Sequence, residues 1–392
     1  MRVHAWFSPL VQLPVSNPSR VATPQPQLPS WQCGAGSRGS GRRIWRGVAL
    51  TLSKFLWVTS ASAAELGGTV DWDQLWLESG ARLVEPRDGE FTLSGARLGA
   101  RWTFEDVSAR VGLGTRNLVA RPWRYPGAAT ERSTDLVVVD AWLNWKTSVG
   151  DWRFGQQDVP FGVEAPDDSQ RRWTRSLVLK RGLLALRDLG LGYRVQSGVF
   201  ASHWLVHNGE SGSDLDRETW FTAHIEWENR SEKSLWRATL SGQTGRTTPT
   251  STAPTGVASS ALELVPGERS HLRLAALGLQ SRFQVGSETF EWLGEGFAAE
   301  VTQDSRSRRW RSGRSDLTWE ANARWAWLLR YEMEDEDLHR ARDSRQEASL
   351  GLQFYSLSKT GRALVVATKS WPEVGQAEHR GEVLFRFSPE LF

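Results

Sequence analysis

The chain is short of cysteine: one, Cys33, in 392 residues. It also lies in a segment expected to be removed, so the mature protein would hold no thiolate for metal or nucleophilic work and no disulfide framework. No apolar run is long enough for a membrane helix, and the mean hydropathy is −0.44. The seven histidines form neither a His-Glu-x-x-His nor a His-x-His cluster. No Gly-x-Ser-x-Gly elbow occurs, and Gly294-Glu-Gly296 lacks the third glycine of a dinucleotide loop. The acidic run Glu332–Asp337 lacks EF-hand spacing and reads as a solvated loop. These absences leave no cofactor, metal or catalytic residue to assign.

The first 64 residues contain no Asp or Glu but seven cations: Arg2, Arg20, Arg38, Arg42, Arg43, Arg46 and Lys54. The last four frame two short apolar runs that end at Ala61-Ser62-Ala63-Ala64, the basic, apolar and small-residue order of an export signal cleaved after Ala63 or Ala64. The pair Arg42-Arg43 also hints at twin-arginine export. Either the start codon is misassigned or the leader is unusually extended. Removing these seven cations from 48 leaves 41 against 45 acidic residues, a net charge of −4, so the basic character belongs to the leader. Nothing in the balance points to nucleic acid. Two parts are expected: a leader over 1–64 and a single domain over 65–392.

What the chain has in abundance is tryptophan, 22 against four tyrosines, together with 36 glycines. From Gly68 onward apolar and polar residues alternate in segment after segment, the period of a strand whose faces meet different surroundings. The most pronounced stretch is Trp319–Tyr331, read as one strand with Trp319, Ala321, Ala323, Trp325, Trp327, Leu329 and Tyr331 on one face. Arg324 and Arg330 fall on the other. Aromatic ends and an aliphatic middle suit a wall crossing lipid between two interfacial girdles. Similar segments include Ala96–Phe104, Val137–Lys146, Asp151–Phe161, Leu189–Val195, Val199–Val206 and Gly381–Phe387. Short turns such as Ser148–Gly150 alternate with long connections such as Asn117–Thr134 and the low-complexity Gly245–Gly267. Arg306–Arg314 reads as a polar connection. The fold class expected is all-β: a transmembrane antiparallel β-barrel of about 16 strands. A secreted, Trp-rich, all-β carbohydrate-binding protein remains an alternative, as does an outer-membrane barrel enzyme, which would need a Ser/His pair on neighbouring strands.

Three segments in order carry a likeness to a known family. They are Gly155-Gln-Gln-Asp-Val-Pro160-Phe161-Gly162-Val163-Glu164, Arg187-Asp188-Leu189-Gly190, and Val206-His207-Asn208-Gly209. With Arg330-Tyr331 before an acidic run, and a final strand closing on phenylalanine, the chain resembles the phosphate-selective porin O/P family. The resemblance implies a trimeric, sixteen-stranded outer-membrane channel that passes small anions, narrowed by an inward-folded loop lined with Arg and Lys. The connection in that position holds Arg171, Arg172, Arg175, Lys180 and Arg181. These either face the bore and concentrate anions there or sit at a loop tip, bridging lipopolysaccharide phosphates. Arg97 and Arg101 are expected to face the bore as well. Val383, Phe385 and Phe387 alternate toward Phe392, the pattern that barrel assembly machinery reads by strand addition. Pro389 cannot donate to a ladder, so the last strand should end near Ser388. Expected partners are outer-membrane lipid and lipopolysaccharide, the assembly machinery, two further copies of the chain, and small anions as solutes.

Overall fold

The structure, a computed structural model, describes residues 69–84, 87–115, 136–163, 176, 187–209, 218–248, 268–303, 306–335, 338, 344–356 and 360–388. The expected leader over 1–64 lies outside these residues. The first eight strands are β1 (Thr69–Val84), β2 (Arg87–Phe104), β3 (Val107–Thr115), β4 (Leu136–Thr147), β5 (Gly150–Asp158), β6 (Arg187–Ser197), β7 (Phe200–His207) and β8 (Trp220–Arg230). The second eight are β9 (Ser234–Thr247), β10 (Ser270–Val285), β11 (Glu288–Gln303), β12 (Arg306–Glu320), β13 (Trp325–Asp335), β14 (Ser344–Tyr355), β15 (Gly361–Pro372) and β16 (Glu378–Phe387). Each pairs antiparallel with its sequence neighbours, and β1 pairs with β16 over Leu77–Val84, closing a barrel of 16 strands. Closure leaves no free edge, so every ladder group can be satisfied inside the wall.

One rim carries the tight connections. Residues 105–106, 148–149, 198–199 and 286–287 are two-residue turns, with Gly198 (φ +58°) and Gly286 (φ +61°) supplying the left-handed conformation such hairpins need. The other rim carries the long connections after β3, β5, β7 and β9. Along the strands the outer face is apolar and exposed at Leu277, Leu279, Trp327, Leu329, Leu350 and Val365. Near the short-turn rim Phe283, Phe290 and Trp319 stack in a row across β10, β11 and β12, with centroids 5.3 and 6.2 Å apart. Such a belt with an aromatic edge suits a wall facing hydrocarbon.

Trp319–Tyr331 is not one strand. It is the hairpin between β12 and β13, turning over residues 321–324. The Asn322 side chain accepts from the backbone N–H of Arg324 (2.8 Å) and Trp325 (3.1 Å), a local bond that replaces the ladder. Trp319 lies opposite Trp327, so alternation keeps its phase through the turn. Trp327 and Leu329 face outward and Arg330 inward as expected, whereas Arg324 is exposed in the turn. Arg306–Arg314 is likewise no connection but the first half of β12, and Glu332 and Glu334 are buried on the inner face of β13 rather than in a solvated loop. The inner wall is not uniformly polar either. Trp220, Leu272, Leu274, Phe297, Val301 and Trp310 form an apolar cluster on it.

Candidate channel lumen and constriction

The connection leaving β5 turns into the bore at once. Phe161 packs into the apolar cluster of the inner wall, and Val159 packs on Leu205. The Gly162 N–H donates to Ser241 Oγ on β9 (3.0 Å), and the Val163 N–H donates to Glu295 Oε1 on β11 (2.6 Å). Three strands separate β5 from β9 along the wall and five separate it from β11, so this segment reaches them across the interior. Gly162 sits at φ +74°, and a Cβ there would meet Glu295 Oε1 at 2.5 Å, so the crossing requires glycine. Glu295 is itself held by Arg314 Nη2 at 2.7 Å. The residues expected to give the loop its charge, Arg171, Arg172, Arg175, Lys180 and Arg181, lie outside the described residues, as does Glu164.

The inner wall differs between its two halves. On β11–β16 three buried arginines each have a carboxylate: Arg314 with Glu295, Arg330 with Asp316, and Arg386 with Glu78. On β2–β6 the pairing is partial. Arg97, expected to line the bore, is buried against Asp140, which also engages Arg187 at 3.3 Å. Arg101, Arg153 and Arg194 have no described carboxylate within ion-pair distance. Arg101 and Arg153 both lie over the Trp142 ring, their guanidinium carbons 5.4 and 4.3 Å from its centroid. Arg153 also donates to Asn144 Oδ1 at 3.3 Å. Arg153 and Arg194 line a cavity of about 300 Å³ beneath Val159–Val163, shared with Asp151, Asp158, Glu226, His203 and His224.

The described family-like motif residues outside the crossing segment are fixtures of the wall. Arg187 and Asp188 are fully buried. Asp188 Oδ2 meets His207 Nδ1 at 2.7 Å, and His207 Nε2 meets Thr222 Oγ1 at 2.8 Å, tying β6, β7 and β8 together. Gly155 (φ +111°) and Gly190 lie where a Cβ would strike the carbonyl oxygens of Ala141 and Val206. Asn208 donates its backbone N–H to Leu189 O at 3.1 Å, and Gly209 leaves room for the Trp220 ring. Pro160 is half-buried beside Phe161. Phe385 and Phe387 are exposed on the outer face of β16, which ends at Phe387; Phe392 lies outside the described residues.

Two hydroxyl–imidazole pairs stand on neighbouring strands of the inner wall, Thr222 with His207 and Ser241 with His224 (2.8 Å), and a third, Thr244 with His271 (3.0 Å), stands on the outer face. Neither inner-wall hydroxyl is free to attack. Thr222 Oγ1 also accepts from Gln243 Nε2 (3.0 Å), Ser241 Oγ also accepts from Gly162, and both residues are buried. A nucleophile has to reach its substrate, and these are spent on the wall. Alternation could have revealed Arg153 and Arg194, since Trp152, Phe154, Leu191 and Tyr193 take the outer face around them. Ser241 and Glu295 gave no sequence signal, because their partner is a backbone segment far along the chain.

A closed sixteen-strand barrel with an apolar belt, a charged bore and a segment crossing that bore is the architecture of an outer-membrane barrel. No family model and no characterised protein matches the sequence, so membership of the phosphate-selective O/P family is not established. Solved structures do match. OmpT of Vibrio cholerae, an outer membrane protein, in its trimer form superposes with a TM-score of 0.57 at 14% identity, covering 82% of this chain and 99% of that one. An anion-selective porin from Comamonas acidovorans gives 0.57 at 11% identity, over 82% and 100%. The outer membrane channel DcaP of Acinetobacter baumannii gives 0.55 at 13%, over 82% and 97%. At these identities the likeness is one of fold.

Proposed function

We propose that the chain is an outer-membrane porin, a passive channel for small hydrophilic solutes with a preference for small anions of the phosphate type, and that it carries out no covalent catalysis. Residues 1–64 serve as its export leader and 65–392 as the channel. The observation that carries the reading is the set Arg101, Arg153 and Arg194 on the inner wall, none of them in an ion pair among the described residues, with Arg153 and Arg194 beneath the crossing segment. A low-dielectric wall focuses the field of such cations into the bore, so anions are enriched there. The cations of the same connection, Arg171, Arg172, Arg175, Lys180 and Arg181, would add to that field. A homotrimer and recognition of Phe385, Phe387 and Phe392 by assembly machinery complete the proposal.

The test is the reversal potential of single channels in a planar bilayer under a salt gradient. It is expected to report anions as the more permeant species, and Arg101→Ser, Arg153→Ser and Arg194→Ser together to lower that preference. A cation-selective wild type overturns the anion reading and leaves the barrel standing. The membrane reading has its own check in Leu329→Arg on the exposed outer face, which should cost about 2–4 kcal/mol if that face meets mid-bilayer hydrocarbon. Unfolding from vesicles measures it, and an unchanged midpoint contradicts burial in lipid.

A further inference from the structure

The outer face of β9–β12 carries a basic patch toward the long-connection rim. In register, Arg273 on β10, Glu300 on β11 and Arg309 on β12 form one row, and Arg246 and Arg311 stand in the rows on either side. Glu300 takes Arg309 at 3.1 Å and Arg273 at 3.6 Å, so one carboxylate holds two guanidinium groups that are themselves more than half exposed. Four arginines stand here against Glu300 and Asp335, a net excess of positive charge on a surface that should otherwise avoid it.

Directly below Arg309 and Arg311 the wall thins. Ala298, Gly296 and Gly294 follow on β11 and Gly313 on β12, all on the outward face. A Cβ at Gly296 would meet nothing within 4 Å, and one at Gly313 nothing nearer than 3.8 Å. Leu277 and Leu279 stand on one side of this furrow, and Met333 and Tyr331 on the other. It closes where the Trp292 ring lies over Gly294. At a rise of about 3.3 Å per residue the open floor from Ala298 to Gly296 runs about 7 Å.

We propose that this face binds a phosphorylated membrane lipid, its phosphate held by Arg273, Arg309 and Arg311 and the upper part of one acyl chain lying in the Gly296–Gly313 furrow. The inference rests on the outer-membrane reading. Arginine forks match phosphate oxygens bidentately, and the furrow places apolar space immediately beneath them. A free phosphate would have no use for the furrow. A second copy that met this face with its own would set arginine against arginine, and one that docked a different face here, as in a three-fold assembly, is separated by Gly296→Leu, which would then change the oligomeric state and keep the lipid.

Native mass spectrometry of the purified full-length barrel in neutral detergent tests it. The probes are lipid A (a bisphosphorylated, acylated glucosamine disaccharide), its dephosphorylated form, and inorganic phosphate. Wild type should retain lipid A, and Arg273→Ser with Arg309→Ser and Arg311→Ser should weaken retention about ten-fold or more. Gly296→Leu, which fills the furrow and leaves the arginines in place, should weaken it too. Equal retention of the dephosphorylated lipid, binding of inorganic phosphate as tight as that of lipid A, or a Gly296→Leu protein that changes its oligomeric state and keeps its lipid would each overturn the site. Conductance recorded on the same preparation separates the two readings: a conducting barrel without lipid sinks this site alone, and a barrel that never conducts sinks the porin.

Discussion

Replacing Asp316 by alanine is expected to destabilise the barrel by about 3–5 kcal/mol, the cost of leaving a buried charge without its partner. Arg330 donates Nε and Nη2 to the two Asp316 oxygens, each at 2.7 Å, and both side chains are buried. The residues are direct cross-strand partners on β12 and β13, so the fork needs no backbone adjustment to close. Removal of the carboxylate leaves Arg330 with Glu332 at 3.9 Å and with Arg314 as a like-charged neighbour. The double change Asp316→Leu with Arg330→Leu should recover most of the loss, since a buried ion pair is often no better than apolar packing of the same volume. Urea unfolding followed by heat-modifiable migration reads all three proteins. A loss of less than about 1 kcal/mol for the single variant would mean that bore water solvates the pair as it would a surface one.

That pair also shows why parts of the sequence misled. Glu332 and Glu334 read as a solvated run because a single chain shows charges without their neighbours. In the barrel, Glu295, Arg314, Asp316 and Arg330 come from three strands and neutralise one another on the inner face. The alternation itself was legible, because the two faces of every strand meet different surroundings and the residues sort accordingly. The hairpin at 321–324 was hidden by parity: an even register sum puts Trp319 and Trp327 on the same face, and only Asn322 marked the turn. Arg97 read as an anion-attracting residue of the bore, without a sign of its carboxylate, because Asp140, 43 residues later, becomes its neighbour only when β2 and β4 flank β3. Arg101 was legible from alternation alone. The crossing segment could be expected from resemblance, but its anchors at sequence separations of 79 and 132 could not.

Those anchors set the last expectation. Glu295→Ala should raise single-channel conductance and its current noise, because it deletes the acceptor of the Val163 N–H, a bond to a charged group worth about 1.5–3 kcal/mol. It also leaves Arg314 without its 2.7 Å partner, so an altered current alone would not separate loop release from a disturbed wall. Two further variants make the separation. Ser241→Ala removes the Gly162 anchor on β9, with the His224 contact, and leaves the Glu295–Arg314 pair in place; it should shift conductance in the same direction by a smaller amount. Glu295→Gln keeps an acceptor for Val163 while removing the charge, and should therefore stay closer to wild type in conductance than in stability. If Glu295→Ala conducts as the wild type does while Ser241→Ala is also silent, residues 159–163 do not govern the open area, and the narrowing must lie elsewhere along the bore. If both variants widen the channel in the stated order, two hydrogen bonds from a five-residue crossing set the size of solute that passes.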